Sequence, residues 1–77
     1  MILILAYIAG IVLDKPGQGG FTVTYGTSDA AYSSNGTFYV DLAGTEDEIR
    51  EAIRVKVVEA VNAALGLSLT SEDVRLF

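Results

Sequence analysis

Residues 2–13 read ILILAYIAGIVL, twelve positions without a charged side chain. The β-branched residues Ile2, Ile4, Ile8, Ile11 and Val12 dominate the run, and at this length they favour a strand over a helix. Side chains alternate between the two faces of a strand. Ile2, Ile4, Ala6, Ile8 and Val12 therefore fall on one side, and Leu3, Leu5, Tyr7, Ala9, Ile11 and Leu13 on the other. Both sides are apolar, as in a strand covered on both faces. Gly10 lies inside the run and marks a bulge or bend.

The following Asp14-Lys15-Pro16-Gly17-Gln18-Gly19-Gly20 holds the sole proline and three glycines, so the chain reverses there. Phe21 to Tyr25 then alternates strictly, with Phe21, Val23 and Tyr25 on one face and Thr22 and Thr24 on the other, which predicts a half-buried second strand. Residues 26–36 are small, polar and aperiodic, and read as the longest loop, with Asn35-Gly36 as its turn. Alternation resumes over Thr37–Leu42 as a third strand.

Helix entry is strongly marked. Thr45-Glu46-Asp47-Glu48 has the S/T-x-x-E pattern of a capping box, and its three acids suit the positive end of the helix dipole. The helix is expected from Glu46 to Leu65, ended by Gly66. Ile49, Ile53, Val57, Ala60, Val61, Ala64 and Leu65 form its apolar stripe. Glu46 with Arg50 and Glu51 with Arg54 have the spacing of surface ion pairs. Val55 and Val58 project away from the stripe. Leu67–Leu69 alternates, residues 70–73 make a turn, and Val74–Phe77 forms a short closing strand. The expected fold is α+β: a small antiparallel sheet of three to four strands with one helix on one face, in the order β-β-β-α-β, as a single domain over residues 1–77.

A chain of 77 residues removes only roughly 60% of its unfolded surface from water. Small domains compensate with disulfides, a metal or association, and this sequence contains neither Cys nor His. Its net charge of −5, with five Lys and Arg, opposes binding to a phosphate backbone, so no nucleic-acid partner is expected. A basic region before the apolar run and a cleavage site after it, the marks of a secretory signal, are missing. Twelve residues also fall short of the ~20 that span a bilayer as a helix.

The same composition removes the usual bases, thiol nucleophiles and most transition-metal ligands, so neither catalysis, cofactor nor metal is expected. Glu46-Asp47-Glu48 points in different directions around a helix and is explained by the dipole. The glycines of residues 17–20 open into a strand, whereas phosphate-binding glycine loops open into a helix. Asp29, Ser33, Ser34 and Asn35 lack the spacing of a calcium loop.

What remains is the first strand. One helix covers one face of a sheet, and at about 25 cal/mol per Å² several aliphatic side chains left in water on the other would forfeit several kcal/mol. Such patches usually mark interfaces. The candidate interface comprises Leu3, Leu5, Tyr7, Ile11, Leu13, Val55, Val58 and Phe77, with protein, either a second copy or a larger assembly, as the partner. An alternative is a small peptide- or sugar-binding module using the 26–36 loop and a polar-aromatic face of Tyr39, Thr22, Thr24 and Tyr32.

The two ends, an apolar strand from Met1 and the ending Leu65-Gly66-Leu67-Ser68-Leu69-Thr70 with Asp73-Val74-Arg75-Leu76-Phe77, resemble those of small proteins encoded among tailed-bacteriophage structural genes. The resemblance carries no functional motif. It implies a non-enzymatic virion subunit present in many copies, such as a decoration, neck or tail accessory protein. Outside that resemblance a cytoplasmic location is expected.

Overall fold

A computed structural model of the chain describes residues 2–77. The elements are β1 (Ile4–Val12), β2 (Gln18–Thr27), β3 (Ser33–Asp41), α1 (Glu46–Leu65), one 3-10 turn (Ser71–Asp73) and β4 (Val74–Leu76). They form a four-stranded sheet in the order β3-β2-β1-β4, with α1 packed on one face. This is the α+β order read from the sequence. The sheet is mixed rather than antiparallel: β1 pairs antiparallel with β2 and β2 with β3, but β4 lies parallel to β1. Helix α1 returns the chain from the end of β3 to the start of the sheet, so β4 must run the same way as β1.

Gly10 does mark a bulge. Ile8 pairs with Val23 but Gly10 with Thr22, so one extra residue sits in β1. Because side chains alternate, an extra residue exchanges the faces beyond it. Ile11 pairs with Phe21 and so lies on the helix side, while Val12, opposite Gly20, lies on the outer side. The uninterrupted alternation expected for β1 had placed both the other way round. The Arg50 guanidinium, early in α1, reaches the Leu76 carbonyl at 2.6 Å, and Leu76 pairs with Ala6. The far end of the β1–β2 hairpin thus projects past the helix, leaving Ile11 and Leu13 exposed on the rim.

The expected 26–36 loop is mostly strand. β2 and β3 pair continuously from Gln18–Asp41 to Gly26–Ser33, and Asn35-Gly36 lies within β3, Gly36 opposite Val23. The reversal is made instead by residues 28–32. There the Thr27 hydroxyl donates to Asp29 Oδ1 at 2.6 Å, and that oxygen also accepts from the Ala31 amide at 3.1 Å. The Tyr32 amide donates to Thr27 Oγ1. An Asx-type turn of this kind competes well with an Asn-Gly turn, here with Ala30 held at φ 60°. The Thr27 and Ala31 donors hold the exposed Asp29 carboxyl below its ordinary range. Leu3 pins the same turn to the sheet: its amide donates to Ser28 Oγ and its carbonyl accepts from the Ser28 amide.

Helix α1 begins and ends where the sequence places it. Thr45 Oγ1 accepts from the Glu48 amide at 3.2 Å, Glu48 Oε1 accepts from the Thr45 amide at 2.9 Å, and Gly66 closes the helix in the left-handed region at φ 66°. The Thr45 amide, with the Thr45 hydroxyl beside it, holds the exposed Glu48 carboxyl below its ordinary range.

The core comprises Ile4, Ala6, Val23, Tyr25 and Val40 from the sheet, Val74 and Leu76 from β4, and Ile53, Val57, Val58 and Val61 from α1. Val58 is therefore interior, not the outward-facing interface residue its position relative to the stripe suggested. β4 and the 3-10 turn pack against α1 on the side of Glu51 and Arg54, next to Val58, while Leu65, two turns further along the same face, is the last helical residue and is exposed. The Glu51–Arg54 ion pair forms at 3.4 Å. Arg50 serves the Leu76 carbonyl rather than Glu46.

Asn62 organises the return from helix to β4. Its side-chain amide donates to the Leu69 carbonyl at 2.9 Å and accepts from the Leu69 amide at 3.0 Å, while its own carbonyl accepts from the Gly66 amide. A single side chain thus pairs with Leu69 as a neighbouring strand would.

Candidate interaction surface

The face of the sheet opposite α1 carries the apolar residues that the helix cannot cover. Leu5 and Tyr7 of β1 project there, next to Thr24 and Gly26 of β2. Phe77 joins them from the chain's end: its amide donates to the Ala6 carbonyl at 2.8 Å and its carbonyl accepts from the Ile8 amide at 3.2 Å, extending the β1–β4 pairing by one residue. The Tyr7 and Phe77 rings stack at 5.0 Å between centroids and 18° between planes. The stack is nevertheless open to solvent, with Tyr7 51% and Phe77 60% exposed. Beside it a hollow of about 310 Å³ is lined by Leu5, Tyr7, Thr24, Gly26, Ala30 and Ser33, among others.

Of the eight residues expected at an interface, Leu5, Tyr7 and Phe77 are gathered on this face. Leu3 is half-buried at its edge. Val55 is exposed on the far side of α1, separated from the patch by the helix and sheet. Val58 is in the core, and Ile11 and Leu13 belong to the projecting hairpin. Val12 belongs to that hairpin too and is exposed on its outer side; the sequence reading omitted it, and placing it on that side required the bulge.

The expected polar-aromatic ligand face divides. Tyr32 packs against the core with its ring 6.5 Å from Tyr25, away from Tyr39. Thr22 and Thr24 do lie on the outer side, with Thr22 Oγ1 3.4 Å from Thr37 Oγ1. Tyr39 is held in place. Its hydroxyl donates to the Asp14 carboxylate at 3.0 and 3.1 Å, the Lys15 ammonium sits 4.1 Å from its ring centroid, and its ring lies so close over Gly20 that a Cβ there would come within 2.7 Å. The hydrogen bond to Asp14 raises the Tyr39 pKa above the usual phenol value, since ionisation would set two negative groups together. The arrangement closes the β1–β2 turn against β3. It explains why position 20 is glycine, a contact that no sequence pattern announces.

A second hollow, of about 450 Å³, lies between α1 and β4. Its polar groups are mutually engaged: the Ser71 hydroxyl donates to Glu51 Oε2 at 2.6 Å, Glu51 pairs with Arg54, and Arg75 donates to the Glu72 carbonyl. Among the described residues there is no group of three or more acidic side chains positioned for a metal ion, and no helix long and apolar enough to cross a membrane. No protein-family model, curated protein or solved structure matches the chain. The surfaces themselves carry the functional reading.

Proposed function

We propose that the protein is a non-enzymatic structural or assembly subunit that associates through the outer face of its sheet. The observation that carries this reading is the exposed Tyr7–Phe77 stack with Leu5 beside it. Aromatic residues contribute large contact areas and are enriched in the cores of protein interfaces. A stacked pair already held by β1 and the terminal backbone pairing loses little conformational freedom on docking, which favours association. The partner is protein, either another copy or a larger assembly, and a virion subunit repeated in many copies is the form the terminal resemblance supports. A peptide or sugar site centred on Tyr39 has less support, because the Tyr39 hydroxyl is committed to Asp14.

Replacing Tyr7 and Phe77 together by serine tests the reading. The double variant retains the backbone pairing of both residues, so it should keep the wild-type far-UV circular dichroism while losing the contact made through this face, seen as a smaller assembly mass in equilibrium sedimentation over a concentration series. An unchanged association constant in a folded double variant would reject the outer face as an interface.

A further inference from the structure

The sheet has two edges. At β4 the edge is three residues long, and where β1 continues beyond it the bulge after Ile8 interrupts the strand. Short strands and bulges are the usual protection of an edge. β3 has neither. It pairs with β2 along its full nine residues without a register shift, contains no Lys, Arg or Pro, and has Asp41 at its end as its single carboxylate.

Hydrogen bonds flanking the ladder show which backbone groups are free. The Leu42 amide donates to the Gly17 carbonyl and the Thr27 amide to the Tyr32 carbonyl. Antiparallel pairs alternate between bonded and non-bonded, so the even-numbered residues of β3 bond to β2. Ser33, Asn35, Thr37, Tyr39 and Asp41 therefore direct their amides and carbonyls away from the sheet, and among the described residues no strand meets them.

We infer that β3 pairs antiparallel with β3 of a second copy, about a two-fold axis at Thr37, joining two four-stranded sheets into one. The five outward residues are centred on Thr37, so this register uses all of them and forms about ten backbone hydrogen bonds. Its side chains also match. Thr37 meets Thr37 and, with Thr22 on either side, completes a four-threonine row, cross-strand pairs that stabilise sheets. Tyr39 meets Asn35, and Asp41 meets Ser33, so no like charges oppose one another although each chain carries −5. On the helix side half-buried Phe38 lies opposite Gly36 of the second copy, and an aromatic ring across from glycine fills the space its missing side chain leaves. At ~4.8 Å between strands each sheet is about 14 Å wide, enough for one helix of about 10 Å diameter over its own strands.

This edge is distinct from the outer face proposed above, and its test uses the background in which that face is removed. In the Tyr7→Ser, Phe77→Ser protein, sedimentation should still give twice the 8.2 kDa of one chain. Adding Thr37→Pro should return it to 8.2 kDa with the circular dichroism retained, because the Thr37 amide serves no bond to β2. Since the chain has no cysteine, Thr37→Cys provides a second readout: cross-strand Cα atoms about 5.5 Å apart fall within disulfide range, so oxidation should link two chains at least tenfold faster than it links Ser68→Cys. A monomeric face-deleted protein at hundreds of micromolar, or equal cross-linking rates for the two cysteine variants, would overturn the inference. An assembly mass unchanged by removing the face would reject the outer-face reading and, with the Thr37→Cys advantage intact, leave the edge inference standing.

Discussion

Replacing Asn62 by alanine tests whether one side chain holds the return from α1 to β4. The substitution removes both hydrogen bonds to Leu69, at 2.9 and 3.0 Å. A net contribution of about 1 kcal/mol per bond gives ~2 kcal/mol. Leaving the half-buried Leu69 amide and carbonyl unpaired adds to this, while water entering the partly exposed site subtracts from it. Alanine's higher helix propensity returns about 0.5 kcal/mol, so the expected loss is about 1.5–2 kcal/mol. For a domain of this size that corresponds to a fall in Tm of roughly 6–16 °C. Urea unfolding followed by circular dichroism, at one fixed protein concentration because association shifts apparent stability, measures it. Ser68→Ala, an exposed neighbour whose hydroxyl bonds to none of the described residues, is the control and should lie within about 0.5 kcal/mol of wild type. A loss for Asn62→Ala no larger than that of Ser68→Ala would refute the assignment of a strand-like role to Asn62.

The two valines that the sequence treats alike should separate sharply. Val58→Asp places an unpaired carboxylate in the core and should abolish cooperative thermal unfolding, whereas Val55→Asp, on the exposed side of α1, should change Tm by no more than a few degrees. Thr45→Ala removes the helix cap and should cost about 1 kcal/mol in urea unfolding at neutral pH. The cap also makes stability depend on pH. A carboxyl whose folded value is depressed stabilises the fold above its unfolded value and loses that contribution as pH falls through the folded value. The Tm advantage of the wild type over Glu48→Gln should therefore be full at neutral pH and shrink below the ordinary glutamate range; an advantage independent of pH would contradict the capping box.

Where neighbouring residues interact, the sequence was a sufficient guide. The Thr45–Glu48 box, Gly66, and the alternation from Phe21 to Tyr25 state their own conformations, because capping and alternation depend on residues a few positions apart. Gly10 announced an irregularity in β1, but not whether it would reverse the following side chains. That depended on which residue of β2 stood opposite, and the pairing of Gly10 with Thr22 moved Ile11 and Val12 to the faces they occupy. Asn35-Gly36 has the composition of a turn, yet the Thr27–Asp29 contacts placed the reversal earlier and drew it into a ladder.

The functional surface divides the same way. The run ILILAYIAGIVL determined that one helix could not cover both faces of the first strand, since that conclusion needs only composition, period and chain length. Which apolar residues remain in water was decided by tertiary structure. β4 and the 3-10 turn drew Val58 inside, and the terminal backbone bonds set Phe77 on Tyr7. The bare edge of β3 emerged from the same long-range pairing, because an edge is defined by the strand that is missing beside it.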